Sequence, residues 1–479
     1  MYKRQDVGGG TLTSVSSWRF WEWRPGNDRD YTSLSILTAS ANNSDQEQYS
    51  QELRFASTLG DSIDYIAGIY GFYQNIATNG LQGYGADAAR WLIGTTTGTP
   101  AVAVPTNLLD GYQSAFTADS NVYNYAVFGQ LNWAITDRLT LTPGIRYTQD
   151  EKDAVYNQVV SGGPPVTGTP AQIAALTSAK NGIVRDQFYT ADFTDSSASG
   201  QVTLSFDLTP DSLLYGTYAR GFKSGGINLA GLPVDGAGNP ILAASTIEPE
   251  EVENYEVGLK NQFLGNTLTL NIAAFYTTIN DYQTTVQDNP GGLPAGSLRG
   301  YIANIEEVRN SGLEIDAAWQ PVERFSAYLS GSINDGQYVT FRNAPCPLEL
   351  TGGPASCDLS GKPLPALSDY SLSGGAEYRH PVAWGSLGDE FYFGFDGTYR
   401  ADWYSDASLS EYSKIDGYGI ANFRVGLRSG DRWDASLWTR NAFDEEYLLF
   451  TSNQNGNSGL VIGQPGDQQT YGLTLRANL

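Results

Sequence analysis

The sequence predicts an all-β fold, a transmembrane antiparallel β-barrel that runs through all 479 residues. Three observations predict it. The first is alternation. In Val252 to Gln283, Tyr255, Val257, Leu259 and Phe263 share one parity, and Asn254, Glu256, Gly258 and Lys260 share the other. Successive strand side chains point to opposite faces, so one face is apolar and the other polar. Leu268, Leu270, Ile272, Ala274 and Tyr276 repeat the pattern after Leu264-Gly265-Asn266, a tight turn whose Gly and Asn tolerate positive φ. The second is the connections: short turns near Gly60, Asp137, Pro210, Gly265, Val322 and Gly430 alternate with long polar segments. A soluble sandwich has no reason to place its short turns at every second connection; an outer-membrane barrel does, with short periplasmic turns and long extracellular loops. The third is charge. Arg146, Glu256, Lys260 and Arg424 lie on the polar parity, which suits a wet lumen and not a dry sandwich core.

The chain reads as about sixteen strands, many near the length a tilted membrane strand requires. The first is Thr11 to Arg24, with Trp18, Phe20, Trp21 and Trp23 bunched like an interfacial belt. Gln48 to Ser57 and Ile63 to Ile76 form the next hairpin. Tyr123 to Ile135 alternates cleanly and turns at Thr136-Asp137-Arg138 into a strand from Leu139. Pro143 within that strand cannot donate to a ladder. Gln201 to Leu208 pairs with Leu213 to Phe222, and the Val252 to Gln283 hairpin follows. Then come Arg309 to Trp319, Phe325 to Val339, Tyr370 to Tyr378, Phe391 to Tyr399, Ala421 to Arg428, Trp433 to Phe443, and Tyr471 to Leu479. Long loops are expected near 25–46, 78–121, 152–192, 224–249, 286–300, 343–367 and 452–467, with a short helix at Ala171 to Ala179. The turn near Trp384 is the longest on its side.

Composition agrees. Hydrophobic residues make up 41% of the chain and mean hydropathy is −0.31, and no run approaches the ~18 apolar residues of a spanning helix. A barrel needs only every second residue to be apolar. The 30 Tyr and 10 Trp suit interfacial girdles, although aromatics favour any sheet. A net charge of −24 argues against nucleic acid as a partner. Cys346 and Cys357 share one Pro/Gly-rich loop; a disulfide there, the expected state, would indicate an oxidising compartment, with two free thiols as the alternative. Met1 to Gln5 is followed by Asp6-Val7-Gly8-Gly9-Gly10 where a secretory signal would be apolar, so a fragment of a longer protein is expected.

Several segments carry a family resemblance: Tyr49 to Ser57 (YSQELRFAS), Tyr218 to Gly226 (YARGFKSGG), Glu253 to Lys260 (ENYEVGLK), Asn310 to Glu314 (NSGLE) and Arg440 to Tyr447 (RNAFDEEY). In this order the chain resembles the β-barrel portion of a TonB-dependent outer-membrane receptor over nearly its whole length. The resemblance implies a barrel of about twenty-two strands around a plug; the plug and roughly the first six strands are expected to be missing from this chain. The family usually ends on an aromatic residue, whereas this chain ends on Leu479. The resemblance further implies active uptake of a scarce ligand, most commonly a ferric siderophore, across the outer membrane of a Gram-negative bacterium. The implied partners are the outer-membrane lipid bilayer, that ligand, and the TonB inner-membrane complex acting through the plug. No resident cofactor is implied. A passive porin-type diffusion channel is the competing reading.

Ligand contacts are sought among polar and aromatic residues near the outer strand ends. Arg220 and Lys223 are candidate cations for an anionic ferric complex; Trp403, Tyr404 and Tyr447 are candidate stacking residues. All five also fit girdle or structural roles. Enzyme readings find no support: there is no G-x-S-x-G elbow, Walker loop or HExxH, and the single histidine, His380, lies near a short-side turn.

Overall fold

The computed structural model describes residues 2–27, 29–288, 299–350, 353–354, 356–382, 384, 388–430, 432–453 and 460–477. Part of the expected 286–300 and 452–467 loops and the terminal Leu479 lie outside these residues. Seventeen long strands form one antiparallel sheet: β1 Tyr2–Val7, β2 Gly10–Trp23, β3 Leu37–Leu59, β4 Ile63–Tyr84, β5 Tyr112–Thr136, β6 Leu139–Gly162, β7 Gln187–Thr209, β8 Ser212–Lys223, β9 Glu250–Phe263, β10 Leu268–Asp288, β11 Arg299–Val322, β12 Phe325–Thr340, β13 Tyr370–Pro381, β14 Glu390–Arg400, β15 Tyr418–Ser429, β16 Trp433–Arg440 and β17 Thr470–Ala477. The two-residue strand Gly26–Asn27 makes it an 18-stranded sheet. Each long strand pairs with the next in sequence. This is the up-and-down order of a barrel wall. No described helix is long and apolar enough to cross a membrane.

The predicted faces hold. Tyr255, Val257, Leu259 and Phe263 are exposed on one side of β9 and register against Tyr276, Ala274, Ile272 and Leu268 of β10. The turn between them places Leu264, Gly265 and Asn266 at positive φ. On the other face Tyr215 donates to Glu256 at 2.6 Å and Lys260 lies over the Tyr215 ring. Here a charged, hydrogen-bonded side faces inward and an apolar side faces lipid.

The membrane band can be read off one strand. Along β5, outward residues run from Trp133 to Tyr123. Ten residues at about 3.4 Å each, tilted by roughly 40°, span about 26 Å, matching the ~25 Å apolar band of such barrels. Trp133 lies in register with Ile63 and Leu141; ten residues up, Tyr123 lies in register with Tyr73, which pairs with Tyr49, which pairs with Trp18. The upper aromatics turn their polar atoms to one belt: Trp18 Nε1 and Tyr49 Oη donate to Glu47, and Tyr73 Oη donates to Asn121.

Five corrections follow. β1 adds a seventeenth strand: all six residues are exposed, so no alternation marks it, and it is held by pairing with β2 across Gly8-Gly9, both at positive φ. The expected loops 25–46, 78–121 and 152–192 are shorter than predicted, because β3 to β7 project well beyond the band as long ribbons. Above the membrane both faces of a ribbon can be polar, which hides the period-2 signal. A long connection at 401–417 was not anticipated. The strand expected to reach Phe443 ends at Arg440, where Asn441 and Asp444 take positive φ. The helix is longer than predicted, Pro170–Ile183, started by a capping box between Thr169 and Gln172. Pro143 does sit in β6, and the ladder to β5 skips it, stopping at Gln130↔Gly144 and resuming at Trp133↔Leu141.

The buried apolar clusters sit above the membrane. One joins Ile36, Tyr84, Leu109, Tyr112 and Leu176 from three outer connections. A second joins Val286, Val308, Tyr338 and Phe341 to Leu359. A third packs Leu232 on Ala118, Tyr156 and Tyr189.

Candidate functional site: the outer mouth

The mouth is built where the loops meet the upper inward face. Connection 224–249 leaves β8 and returns to β9, and an inward ion pair closes its base. Lys223 Nζ lies 3.0 Å from Glu250 Oε1, whose side chain is nearly buried, and Glu250 also accepts from the Gln283 backbone. From there the loop is tied on two sides. Toward β6 and β7, Gln187 exchanges two hydrogen bonds with the Leu232 backbone, Tyr189 donates to the Asn228 carbonyl at 2.6 Å, and Lys152 donates to the Gly225 carbonyl. Toward β10 and β11, Asn228 donates to the Ile302 carbonyl, Asn304 exchanges two bonds with the Glu248 backbone, and Gln283 donates to Ser224 and Glu248. Buried backbone groups need partners, and here amide side chains supply them from both walls. The loop is a strap fastened across part of the inward face.

A second group gathers in the outer connections of β12 to β15. Trp403 is buried, with the Arg400 guanidinium 3.7 Å above its ring; Arg400 also donates to Ser368 and the Ala366 carbonyl. Trp403 contacts Tyr418 at 5.9 Å, and Tyr418 stacks on Tyr447 at 4.2 Å. The neighbouring Tyr404 donates to Glu411 at 2.9 Å. Burial, then the Glu411 carboxylate, pushes its phenol up. The Lys414 ammonium 2.9 Å from Asp402 holds that carboxyl below its usual range, and Asp402 in turn raises Lys414. Glu349 accepts from Ser410 and the Glu411 backbone, tying connection 341–369 to 401–417. Burial alone would raise Glu349, but these hydrogen bonds outweigh it and leave the carboxyl lowered. Cys346 and Cys357 are joined by a disulfide in that same outer connection.

The candidate residues therefore separate. Lys223 faces inward at the mouth. Arg220 shares its parity with Tyr218 and lies on the outward face, paired to Glu251 at 2.7 Å, just above Tyr218, which donates to Glu253. It is an interfacial residue and does not line the interior. Trp403 and Tyr447 are brought together, but through Tyr418, which the sequence did not single out; Arg400, Gln187, Asn228 and Asn304 were also missed. Glu250, which reads as an uninformative acid in the sequence, is the partner of Lys223. The legible signal was symmetry, since Lys223 and Glu250 flank the loop at the last paired position. Among the described residues no group of three or more His, Cys, Asp or Glu is placed to hold a metal ion.

Comparison with known proteins now adds to this geometry. The family model "TonB dependent receptor-like, beta-barrel" matches residues 3–442. The pesticin receptor of Yersinia pestis is 23% identical over 429 residues, covering 89% of this chain and 51% of the relative. The catecholate siderophore receptor Fiu of Escherichia coli K12 is 25% identical over 269 residues, covering 56% of this chain and 31% of the relative. Among solved structures, the ferric yersiniabactin uptake receptor FyuA from Yersinia pestis superposes with a TM-score of 0.71 at 18% identity, over 99% of this chain and 60% of that one. The siderophore receptor PiuA from Acinetobacter baumannii gives 0.65 at 14% identity, over 98% and 62%. The chain spans about half the length of the curated relatives it matches. The alternating wall, its aromatic girdles and the family match agree: this chain belongs to the TonB-dependent receptor-like β-barrel family.

Proposed function

We propose that the chain is the barrel wall of an outer-membrane receptor that takes up a ferric siderophore with energy delivered through TonB. The observation that carries this reading is the match of nearly the whole chain to a ferric yersiniabactin uptake receptor, and of more than half of it to a catecholate siderophore receptor and a ferric-pyoverdine receptor, whose names share one cargo chemistry. The family is one of transport receptors, not of enzymes. In a complete receptor the seventeen strands are part of a larger wall, joined by a plug and further strands. Among the described residues β1 and β17 each pair on one side only, which supports that arrangement. The setting is the outer membrane of a Gram-negative bacterium, and the long connections face outward. The porin reading has no counterpart among the relatives named here.

The test is uptake. The gene containing this chain is expressed in a siderophore-receptor-deficient host, and import of radioactive ferric siderophores is followed with TonB intact, with TonB deleted, and after proton-motive force is collapsed. Import only in the first condition is expected. Import that survives both losses overturns the receptor reading in favour of passive diffusion.

A further inference from the structure

The aromatic residues at the top of β2 divide between the two faces of the wall. Trp18 and Phe20 have the outward parity, and Trp18 lies in register with Tyr49 of the girdle. Trp21 and Trp23 have the opposite parity and face the interior. The expected belt therefore keeps only two of its four members. The two inward indoles stack on each other, with centroids 5.9 Å apart and planes 13° from parallel. Both are exposed, at 43% and 49%. Trp21 stands three residues above the girdle, about 8 Å at the strand rise and tilt of such a wall, on the side from which cargo arrives. Large apolar rings left open there mark a surface that a ligand covers.

A cleft of about 170 Å³ lies on this inward face, bounded by Arg19, Trp21, Gln46 and Gln48. Register explains its walls: Arg19 lies opposite Gln48, and Trp21 opposite Gln46. Same-face neighbours along a strand stand about 6.8 Å apart, twice the strand rise. One flat ring fits between two flat side chains at that spacing, and a cavity of about 150 Å³ already accepts benzene. The polar groups of the cleft are uncommitted. Among the described residues Arg19 has no ion pair, and neither Arg19 nor Gln48 has a side-chain hydrogen bond. The same-face carboxylate lower on β3, Glu52, is taken by Arg54 at 3.3 Å. Gln46 is steadied by Ser44 and Gln74, at 3.4 and 3.5 Å. A free guanidinium facing an indole across one ring's width selects a planar anion, since the plane stacks on both and the charge meets the guanidinium.

We propose that this cleft is a specificity subsite for one anionic aryl arm of the ferric complex, a catecholate or phenolate ring. The ring stacks on Trp21, its oxygens meet the Arg19 guanidinium, and the Gln48 amide donates to them from the side. Trp23 backs Trp21 and fixes its plane. The subsite favours aryl chelates over hydroxamates, which bring no aromatic ring to stack. This inference rests on the uptake reading and narrows its cargo.

The test is equilibrium binding of radioactive iron complexes to the full-length receptor purified in detergent. The probes are ferric 2,3-dihydroxybenzoylserine, which is an anionic catecholate, and ferric desferrioxamine B, which is a hydroxamate without rings. The catecholate is expected to bind at least ~10-fold more tightly, equivalent to about 1.4 kcal/mol. Trp21→Ala and Arg19→Gln should each weaken the catecholate at least ~10-fold and leave the hydroxamate unchanged. Trp21→Phe should recover most of the loss, since a ring to stack on is restored. Trp18→Ala, on the outward face of the same strand, should leave catecholate binding unchanged and controls for folding. Equal binding of the two probes, catecholate binding unchanged in both Trp21→Ala and Arg19→Gln, or an equal loss in Trp18→Ala overturns the proposal. TonB-dependent import of the hydroxamate with none of the catecholate sinks this subsite and keeps the uptake reading. Import that survives loss of TonB and of proton-motive force sinks the uptake reading, while the binding comparison is still read on its own.

Discussion

The wall and the outer connections are held together by opposite means. In the wall, valines and leucines such as Val127, Val257 and Leu313 are exposed on the outward face, and cohesion comes from strand ladders continuous through β1 to β17. In the outer connections the largest fully buried side chains collect, among them Leu109, Leu232, Tyr338 and Phe341. Lipid completes the first region and water drives the second. The same outward valine is therefore an asset at one height and nearly neutral at another.

Several substitutions sharpen this contrast. The largest effect is expected for Leu109→Ala, in the first outer cluster, at about 2–5 kcal/mol. The loss should be confined to the outer connections, read as faster amide exchange there with wall amides unchanged. Val127→Arg, near the middle of the band, should cost about 2–4 kcal/mol in folding into vesicles, measured by urea titration. Cys346→Ser closes off the disulfide between positions 11 residues apart and should loosen that connection by about 2–3 kcal/mol, seen as earlier proteolysis near Cys357. Val155→Arg is the counterpart of Val127→Arg, since Val155 is also outward on the β5–β6 hairpin but stands above the aromatic row. It should change stability by less than ~0.5 kcal/mol. Equal costs for the two arginine variants would remove the assigned membrane position.

Asp30 offers a pH version of the contrast. It is buried within connection 24–36 and accepts from Leu37 N at 2.8 Å and from Thr32 N and Oγ1 at 2.9 and 2.8 Å. Burial pushes its carboxyl up, but these hydrogen bonds outweigh burial, and the net shift is downward. A group lowered by folding stabilises the fold above its unfolded value and loses that contribution as pH falls through the folded value. Connection 24–36 should therefore loosen only at acidic pH, below the ordinary Asp range near ~3.9. Asp30→Asn should flatten that dependence in pH-resolved proteolysis of the outer loops. An unchanged acid profile would show that other carboxyls set it.

The membrane-crossing part of the fold was legible because lipid imposes a strict period of two. Tyr255, Val257 and Leu259 could be assigned outward, and the Leu264-Gly265-Asn266 turn placed, from the residues alone. Above the membrane that constraint lapses. β5 from Tyr112 to Asn121 alternates buried Ser114, Ala118 and Ser120 with exposed neighbours, and small polar residues of this kind read as loop. The site was less legible for a related reason. Arg220 and Lys223 are three residues apart, so they fall on opposite faces, and only the register of β8 with Tyr218 and Tyr255 shows which face is which. Trp403 and Tyr447 could be named as aromatics but not joined, because the ring between them, Tyr418, belongs to a different strand.

By itself the sequence determined that this is a β-barrel wall, where its periplasmic turns fall, and which side chains meet lipid, since those are local consequences of side-chain alternation and turn chemistry. Tertiary structure alone decided that connection 224–249 is strapped between two walls, that Glu250 is the partner of Lys223, and that Trp403 and Tyr447 meet through Tyr418. Each of those depends on contacts between residues far apart in the chain, and such contacts exist only once the strands have taken their register.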